Sequence, residues 1–524
     1  MSLEVLDRLR LHGQRQAERE ALREVGGTQG RGRSLTYAEL AALVDSTARE
    51  VTSACRGHDR PVVLLCLPNQ VECVAGMLGV LAAGATAFPV HPLLTDVELR
   101  EAARRSRAAA LIGTPRAREA VAELGVRWVG VGESAKAMGS RSRGGTKGGP
   151  PRLYLQSSGT TGRPKIVERS AAALDAVARN VAKSVGLRED DRVLGWVPAC
   201  HSYGVENVVL GPIYAGCSVH LCRDVDAATV LGELEGGGVT VFPGVPAMFE
   251  MLAGGAQGGG RPPAAGHLCQ RPFRGRWDTV APANPLCGRP AALRCAYSAG
   301  AMLPASVYEA FARRFKVSIG QLYGMTEIGS VTFNDPARAA HAPGSVGWPM
   351  DGVRIRVVER SEDEAGTDVP VGTEGEVAVS APSMLTGYLN DEDGTCCVPE
   401  EVKDGYFHTG DLGKLDAEGR LTITGRRKLV VDVGGLKVNL LEVEAVLCAH
   451  EAVEAAVVTA VPVSDTVCRL KAVAVLRSRS KGVSAEELRT WLRRRLSAHK
   501  VPRSIEFRTS LPRSATGKVL RGEL

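Results

Sequence analysis

Helix-like and strand-like segments alternate through the first half of the chain. Residues 35–51 (LTYAELAALVDSTAREV) have the apolar period of an amphipathic helix, whereas residues 61–67 (PVVLLCL) read as a buried strand. The apolar run at 73–90 is interrupted by Gly76, Gly79 and Gly84, so it predicts a buried helix followed by a strand and no membrane span. Such alternation predicts an α/β fold in which helices pack on parallel sheets.

The second half of the chain changes pattern twice. Between about residues 344 and 424, the short alternating runs VRIRVVE, GEVAVSA and LTITG are separated by turns and predict a small β-barrel. A new α/β unit follows, in which the helix SAEELRTWLRRRL opens with the capping pair Ser484 and Glu487. A chain of 524 residues is too long to fold around a single hydrophobic core. We therefore predict a large domain over 1–425, with the barrel at about 344–425, and a small domain over 426–524.

Two irregular segments separate these elements. Residues 130–150 are rich in Gly, Ser, Lys and Arg and are expected to form an exposed connection. Residues 254–290 are rich in Gly, Pro and Arg and are expected to form a long surface loop. Neither segment is assigned a function.

The cysteines and the amino terminus indicate a cytoplasmic protein. Thirteen cysteines are scattered without a C-x-x-C pair, as is typical of reduced thiols in the cytosol. The cluster GCSVHLC contains Cys217, His220 and Cys222, but it alternates like a buried strand and has no fourth ligand nearby, so a strand is expected there. The first twenty residues carry charges where a signal peptide needs an apolar core.

The positive charge is concentrated near the carboxyl end. Residues 427–524 hold 18 of the 65 Lys and Arg but only 10 of the 58 Asp and Glu. This excess favours a polyanionic partner, such as a phosphorylated cofactor or an acidic protein, although a solvated face remains an alternative. Nucleic acid is disfavoured, because aromatic residues are few and no nucleic-acid module is recognised.

The segment SSGTTGRPK at 157–165 has the composition of a phosphate-binding loop. Its glycines allow close approach of backbone amides, its hydroxyls donate hydrogen bonds, and Lys165 supplies a positive charge. A P-loop is excluded, because Pro164 replaces the glycine before the lysine and Ile166 replaces the magnesium-binding hydroxyl. A nucleotide site of another type is therefore predicted.

Nine segments in fixed order resemble the adenylate-forming enzymes, the family of acyl-CoA synthetases, carrier-protein ligases, peptide-synthetase adenylation domains and luciferases. They are LTYAEL (35–40), VLAAGATAFPVHP (80–92), SSGTTGRPK (157–165), PACHSYG (198–204), SAGAMLP (298–304), YGMTE (323–327), GYFHTGDLG (405–413), GRRK (425–428) and PRSATGK (512–518). The resemblance implies a large amino-terminal domain of two α/β subdomains plus the β-barrel. A small mobile α/β carboxy-terminal domain would follow, with its hinge near Lys428.

The resemblance also implies the nucleotide site. Thr326 would contact the α-phosphate of ATP, Glu327 would hold Mg²⁺, and Tyr323 would stack beside adenine. Asp411 would accept both ribose hydroxyls, supported by Arg426. The loop residues implied around the β- and γ-phosphates are Ser158, Gly159, Thr160, Thr161 and Lys165, and those implied along the adenine are Ala299, Gly300 and Gln321. Further residues implied to bind the nucleotide are Ser157, Gly162, Ala301, Gly324 and Lys428.

Two half-reactions are implied by the same resemblance. Lys518 would bridge the carboxylate and the α-phosphate in the first, and so joins Thr326, Glu327 and Lys165 as a catalytic residue. After rotation of the small domain, Gly434, Gly435 and Lys437 would line the path of the CoA pantetheine arm. This sequence departs from the family pattern on that face or at the hinge at Leu429, Asp432 and Leu440, so an enzyme specialised for one half-reaction stays an alternative.

The acid pocket is expected to be mainly apolar. Its walls by resemblance are His201, which matches the aromatic gate position, with Ser202, Tyr203, Val208, Val245, Ala299 and Met325. The aspartate that pairs with the amine of amino-acid substrates is absent from PACHSYGVEN, and Glu206 is the carboxylate in that segment that could replace it. A hydrophobic aryl or acyl acid is therefore expected.

Together these features predict an ATP-dependent carboxylic acid–CoA ligase that forms an acyl-adenylate and then an acyl thioester. The expected cofactors are ATP, Mg²⁺ and coenzyme A, or a carrier protein's phosphopantetheine in place of CoA. A ligase that loads an acyl carrier protein and a silent nucleotide-binding homologue are two further hypotheses. The protein is expected to be a monomer or a homodimer.

Overall fold

The computed structural model describes residues 3–26, 32–132, 149–157, 165–223, 227–236, 238–253, 292–359, 366–426, 430–433, 436–464, 467–477, 482–496, 500–513 and 519–524. The expected connection at 130–150 lies largely outside these residues, and the expected loop at 254–290 lies wholly outside them. The helices are α1 Glu4–Arg15, α2 Tyr37–Ala54, α3 Val71–Ala82, α4 Asp96–Arg105, α5 Pro115–Val121, α6 Ala171–Val185, α7 Ser202–Gly204, α8 Gly211–Ala215, α9 Ala227–Gly236, α10 Pro246–Leu252, α11 Ala305–Phe315, α12 Leu440–Cys448 and α13 Ala485–Arg493. A π-helical segment, Val205–Leu210, joins α7 to α8.

The strands fall into two long sheets and three smaller ones. In chain order they are β1 Glu20–Val25, β2 Ser34–Thr36, β3 Val62–Cys66, β4 Thr86–Pro89, β5 Ala110–Gly113, β6 Arg127–Trp128, β7 Arg152–Ser157, β8 Lys165–Ser170, β9 Arg192–Gly195, β10 Ser218–Cys222, β11 Val241–Gly244, β12 Cys295–Ser298, β13 Ile319–Met325, β14 Gly329–Asn334, β15 Trp348–Pro349, β16 Arg354–Val358, β17 Gly375–Ser380, β18 Gly387–Leu389, β19 Cys396–Cys397, β20 Val402–Lys403, β21 Tyr406–Leu415, β22 Leu421–Arg426, β23 Val430–Val433, β24 Leu436–Asn439, β25 Val453–Ser464, β26 Val467–Leu476 and β27 Ser504–Phe507.

The two long sheets confirm the predicted α/β fold. One has the order β15-β14-β13-β12-β11-β9-β10-β1-β2, and its strands from β13 to β1 run parallel. The other has the order β19-β18-β8-β7-β4-β3-β5-β6, and its strands from β7 to β6 run parallel. Antiparallel strands extend both sheets at their edges.

Local sequence explains the elements that were predicted in the first half of the chain. Helix α2 begins after Thr36, whose side chain accepts from the backbone of Glu39 while the Glu39 carboxylate accepts from the Thr36 backbone. Strand β3 is buried at all five positions, which accounts for its unbroken apolar sequence. The apolar run at 73–90 forms α3 and β4, both almost wholly buried. The predicted helix, strand and helix-to-strand segment are thus confirmed.

The strands predicted for the barrel region form an antiparallel sheet. VRIRVVE, GEVAVSA and LTITG contain β16, β17 and β22, and the sheet order is β16-β17-β21-β20, with β22 paired to β21. This sheet carries the TGD sequence of Asp411 on its longest strand, β21. The exact domain limits at 344 and 425 stay predictions.

The carboxy-terminal unit has a core of its own. Strands β25, β26 and β27 form one sheet, and α12 and α13 pack on it. Ser484 and Glu487 form the predicted capping box at the start of α13, whose Leu488 and Leu492 are fully buried. The buried cluster of this unit contains Val438, Leu440, Val443, Leu447, Val453, Leu470, Leu488 and Leu492. In the described part of the chain, every helix is too short or too polar to cross a membrane.

Candidate active site

Strands β7 and β8 bring the ends of the glycine-rich segment together. Ser157 and Lys165 face each other as the last antiparallel pair of these strands, and residues 158–164 between them lie outside the described residues. The predicted loop residues Ser158, Gly159, Thr160, Thr161 and Gly162 therefore have no described position. Lys165 is the first residue of β8, and its ammonium faces Tyr388 of β18.

Tyr388 links Lys165 to Glu327, the residue predicted to bind magnesium. Its Nζ donates to Oε1 of Glu401 at 3.2 Å and lies 4.2 Å from the ring centre of Tyr388. The hydroxyl of Tyr388 donates in turn to Oε1 of Glu327 at 3.2 Å. Burial, followed by the charge of Glu327, raises the pKa of Tyr388, so the phenol stays protonated and remains a donor. Tyr388 was missed in the sequence, where it is one aromatic residue among several.

Tyr323 and Asp411, the residues predicted to bind the nucleoside, contact each other. The Tyr323 hydroxyl donates to Oδ2 of Asp411 at 2.7 Å, and Asp411 is only 2% exposed. The backbone nitrogen of Asp411 donates to Oγ1 of Thr409 at 3.0 Å, which fixes the turn. Arg426 is the cross-strand partner of Asp411 between β21 and β22, although its side chain is not among those described.

Two glycines allow close backbone approach among the residues predicted to contact the adenine. Gly300 follows β12 with φ of 85°, a conformation that L side chains rarely adopt. A Cβ on Gly324 would lie 2.2 Å from the carbonyl oxygen of Gly329 in the neighbouring strand. Gln321 is buried and donates to the carbonyl of Pro343, and the backbone nitrogen of Ala299 donates to Gly244 at 3.2 Å. Ala301 is exposed beside Gly300.

A buried ion pair lies under the predicted acid pocket. Nη1 of Arg169 donates to Oε1 of Glu206 at 2.8 Å, and the two side chains are 0% and 3% exposed. Nη2 of Arg169 donates to the carbonyl of Thr326 at 2.7 Å. The pair therefore connects the strand after the lysine loop, the π-helical segment and the turn that carries Thr326 and Glu327.

Glu206 has no remaining capacity for a substrate amine. Its Oε1 also accepts from Oγ of Ser202 at 2.7 Å, and its Oε2 accepts from the nitrogen and Oγ of Ser330 at 2.8 and 2.6 Å. These four donors use the lone pairs of one carboxylate. Arg169 was missed in the sequence; its signal was an arginine shortly after the apolar pair Ile166 and Val167.

The remaining pocket residues differ in exposure. Tyr203, Val245 and Met325 are partly buried, and the Tyr203 hydroxyl donates to the carbonyl of Tyr297 at 3.3 Å. Val208 is fully buried, and a Cβ on Gly195 would lie 2.8 Å from its Cγ1, so it packs against β9. The ring of His201 lies 5.7 Å from the ring of His91. Burial, with a smaller effect of His91, lowers the pKa of His201 to about 4, so the imidazole is neutral near pH 7.

Several predicted site residues are not described. Lys428, Gly434, Gly435 and Lys518 lie outside the described residues, and the side chain of Lys437 is not described. Their roles stay predictions. The GCSVHLC segment forms the buried strand β10, as expected, and His220 in it contacts Glu233 at 3.1 Å.

Comparison with known proteins identifies the family. The AMP-binding enzyme model matches residues 9–389, and the AMP-binding enzyme C-terminal domain model matches residues 442–518. A feruloyl-CoA synthase from Amycolatopsis sp. is 31% identical over 507 residues, covering 94% of this chain and 94% of the relative.

Two solved structures agree along the whole chain. The o-succinylbenzoate CoA synthetase MenE from Bacillus subtilis, in complex with the acyl-adenylate intermediate OSB-AMP, has a TM-score of 0.80 and 25% identity and covers 100% of this chain and 98% of its own. A benzoate CoA ligase from Burkholderia xenovorans LB400 has a TM-score of 0.77 and 26% identity, with coverage of 100% and 99%. The chain therefore belongs to the AMP-binding enzyme family, as an AMP-forming acid–CoA ligase.

Proposed function

We propose that this ligase activates a hydrophobic aromatic carboxylic acid and transfers it to coenzyme A. The observation that carries the substrate class is that the Glu206 carboxylate already accepts four hydrogen bonds. Because Arg169 also neutralises its charge, this carboxylate has no free acceptor for a substrate amine. The predicted wall residues Tyr203, His201 and Met325 favour an aryl acid. The names of the feruloyl-, benzoate- and o-succinylbenzoate-specific relatives support the same class.

The chain's own groups account for the first half-reaction. Asp411 accepts from the ribose hydroxyls of ATP and orients the nucleoside, with Tyr323 holding its carboxylate in place. Lys165 leaves Glu401 and pairs with the terminal phosphates, which reduces the repulsion between the substrate carboxylate and ATP. Lys518 would enter between the carboxylate and the α-phosphate and stabilise the charge that grows there.

The surroundings of Glu327 fit a magnesium ion. Its buried carboxylate receives a hydrogen bond on Oε1 from Tyr388, and carboxylate oxygen is a ligand that Mg²⁺ prefers together with phosphate oxygens. The bound ion would neutralise phosphate charge. Thr326, whose carbonyl is held by Arg169, would donate its hydroxyl to the α-phosphate.

Coenzyme A as the acceptor, and a cytoplasmic location, belong to this proposal. The excess of Lys and Arg in residues 427–524 suits the phosphates of CoA. The ten cysteines whose side chains the structure describes are all free thiols, as expected in a reducing compartment. A carrier protein bearing phosphopantetheine would also suit the charge and is the second candidate acceptor.

A screen of pyrophosphate release tests the proposal. Benzoate, cinnamate, ferulate, hexanoate, oxalate, phenylalanine and alanine are supplied with Mg-ATP, with and without CoA. We expect the aryl acids to react fastest and CoA to yield an aryl thioester and AMP. Preference for phenylalanine or oxalate would overturn the substrate class. Thioester on an acyl carrier protein, detected by mass spectrometry with CoA unreactive, would overturn the acceptor.

A further inference from the structure

Two histidines and a cysteine converge beside the predicted acid pocket. His91, Cys200 and His201 each offer one ligand atom, and these atoms all lie within 4.8 Å of one another. His91 and Cys200 are buried, whereas His201 is partly buried. Mg²⁺ is disfavoured here, because it takes oxygen ligands, whereas two imidazoles and a thiolate suit a softer ion such as Zn²⁺.

The backbone on both sides of this cluster is held firmly. The buried Asn69 donates from Nδ2 to the carbonyls of Gly195 and Val197 and accepts at Oδ1 from the nitrogen of Ala199. These bonds fix the segment that leads into Cys200. On the other side, the nitrogen of Val90 donates to the carbonyl of Leu65 in the neighbouring strand. The cluster is therefore built on rigid elements.

One polar atom of the cluster points to a ligand. Nε2 of His201 is buried and has no hydrogen-bond partner among the described residues, a state that costs free energy unless something binds the nitrogen. The described group contains no carboxylate. A tetrahedral Zn²⁺ keeps nitrogen and sulfur ligands about 3.3–3.6 Å apart, so the three side chains would close by about 1 Å around it.

We propose that His91, Cys200 and His201 form a Zn²⁺ site at the edge of the acid pocket, and that the bound ion inhibits acid activation. Three protein ligands leave a fourth tetrahedral position, which a water molecule or the carboxylate of the acid takes. Zinc at this position fixes the ring of His201 and competes with productive binding of the acid. The inhibition rests on the proposed acid pocket, whereas the binding of Zn²⁺ does not.

Proton balance gives the site a measurable signature. Binding converts the Cys200 thiol to a thiolate and releases that proton to solvent. Nδ1 of His91 accepts from the nitrogen of Leu93 at 3.2 Å, so Nε2 carries the ring proton before binding. Coordination through Nε2 moves that proton to Nδ1 and gives up the Leu93 hydrogen bond. One proton is therefore released for each ion bound.

Cobalt and zinc titrations of the full-length reduced protein test the binding in the presence of excess Mg²⁺. We expect one Co²⁺ per chain with a thiolate-to-cobalt charge-transfer band, which Zn²⁺ displaces. Cys200→Ser should abolish the band, and Cys200→Ser and His91→Asn should each weaken Zn²⁺ binding more than about 100-fold, since even outer-shell partners of metal sites contribute 10–100-fold. Cys222→Ser, a matched change of a buried thiol in β10, should leave both unchanged.

Three results would overturn the site. They are the absence of the band in the wild type, unchanged Zn²⁺ affinity in Cys200→Ser and His91→Asn, and loss of binding in Cys222→Ser. If a variant fails to fold, alkylation of the wild type decides the matter. Zn²⁺ should then protect Cys200 from iodoacetamide in mass spectrometry, whereas equal labelling with and without Zn²⁺ counts against the site.

Kinetics with the preferred acid test the inhibition separately. Zn²⁺ should inhibit pyrophosphate release competitively with the acid, and excess chelator should reverse the effect. Metal binding without inhibition would retain the site but refute its regulatory role. An acid screen without a substrate would contradict the proposed function and leave the binding result intact.

Discussion

Arg169 is the largest fully buried side chain in the described part of the chain, and a single carboxylate balances its charge. Its partner Glu206 is separated from it by 37 residues. Arg169 also donates to the carbonyls of Met325 and Thr326. The same guanidinium thus stabilises the interior and positions the turn that carries the predicted catalytic residues Thr326 and Glu327.

We expect Arg169→Met to lower the free energy of unfolding by about 3–5 kcal/mol, because Glu206 would keep a buried charge without its cation. Urea denaturation measures the change. Arg179→Met is the matched control, since Arg179 pairs with Glu4 on the exposed surface and should cost less than about 1 kcal/mol. Equal effects of the two variants would contradict the role assigned to burial. Combining Arg169→Met with Glu206→Leu should recover part of the loss.

Tyr323→Phe removes the hydroxyl that donates to the buried carboxylate of Asp411. A hydrogen bond to a charged group contributes about 1.5–3 kcal/mol, so we expect the KM for ATP to rise about tenfold or more while the KM for the acid changes little. Steady-state kinetics measure both constants. Tyr214→Phe removes a similar bond, to Glu4 at 2.9 Å and away from the candidate site, and should leave the ATP KM unchanged. A raised KM in both variants would point to a general structural effect.

Helices α2 and α3 pack so closely that the contact between them leaves no room for a side chain at Gly79 of α3. A Cβ on Gly79 would lie 2.6 Å from the side chain of Thr47. Both helices were predicted from sequence, α2 from its apolar period and α3 from its apolar run, because these signals are local. The contact between the two helices was not predicted, because it depends on which helix faces pack together in the folded protein.

Gly79→Ala is therefore expected to destabilise the protein, by about 1–3 kcal/mol from overpacking, although alanine favours a helix by about 1 kcal/mol over glycine. Gly232→Ala in α9 provides the control, because a Cβ there meets nothing within 4 Å. That variant should be neutral or more stable by up to about 1 kcal/mol. Thermal unfolding of the two proteins separates these expectations, and a stabilised Gly79→Ala would show that the helices can move apart.

Long-range contacts explain why the site was only partly predictable. The ordered segments identified Tyr323, Glu327 and Asp411 by resemblance, but Asp411 lies 88 residues from the tyrosine that holds it. Tyr388, which joins Lys165 to Glu327, and Arg169, which holds Thr326, carry no local pattern that marks them. Their roles depend on the pairing of β8 with β7 and β18, which brings distant segments together. Local periodicity and capping signals do not predict which strands pair or in which register.

At the scale of the whole molecule, the chain has separate hydrophobic cores. The buried residues of 438–511 form two clusters of their own, apart from the large cluster that spans the two long sheets. A unit with its own core can turn as a rigid body about a linker without losing its fold. The positive charge that sets residues 427–524 apart would move with it. Rotation of this unit about Lys428 stays a prediction.

Lys518→Ala tests whether the two units cooperate in one half-reaction. If Lys518 stabilises the charge between the carboxylate and the α-phosphate, its loss should slow pyrophosphate release more than about 100-fold, in line with removal of one preorganised donor. Thioester formation from presynthesised acyl-adenylate and CoA should stay within about twofold, because the predicted rotation would remove the lysine from the site in that step. Lys500→Ala makes the same charge change in the same unit and should affect neither rate. Equal loss in both half-reactions would mean that Lys518 supports the fold or both poses, and unchanged adenylation would remove it from the mechanism.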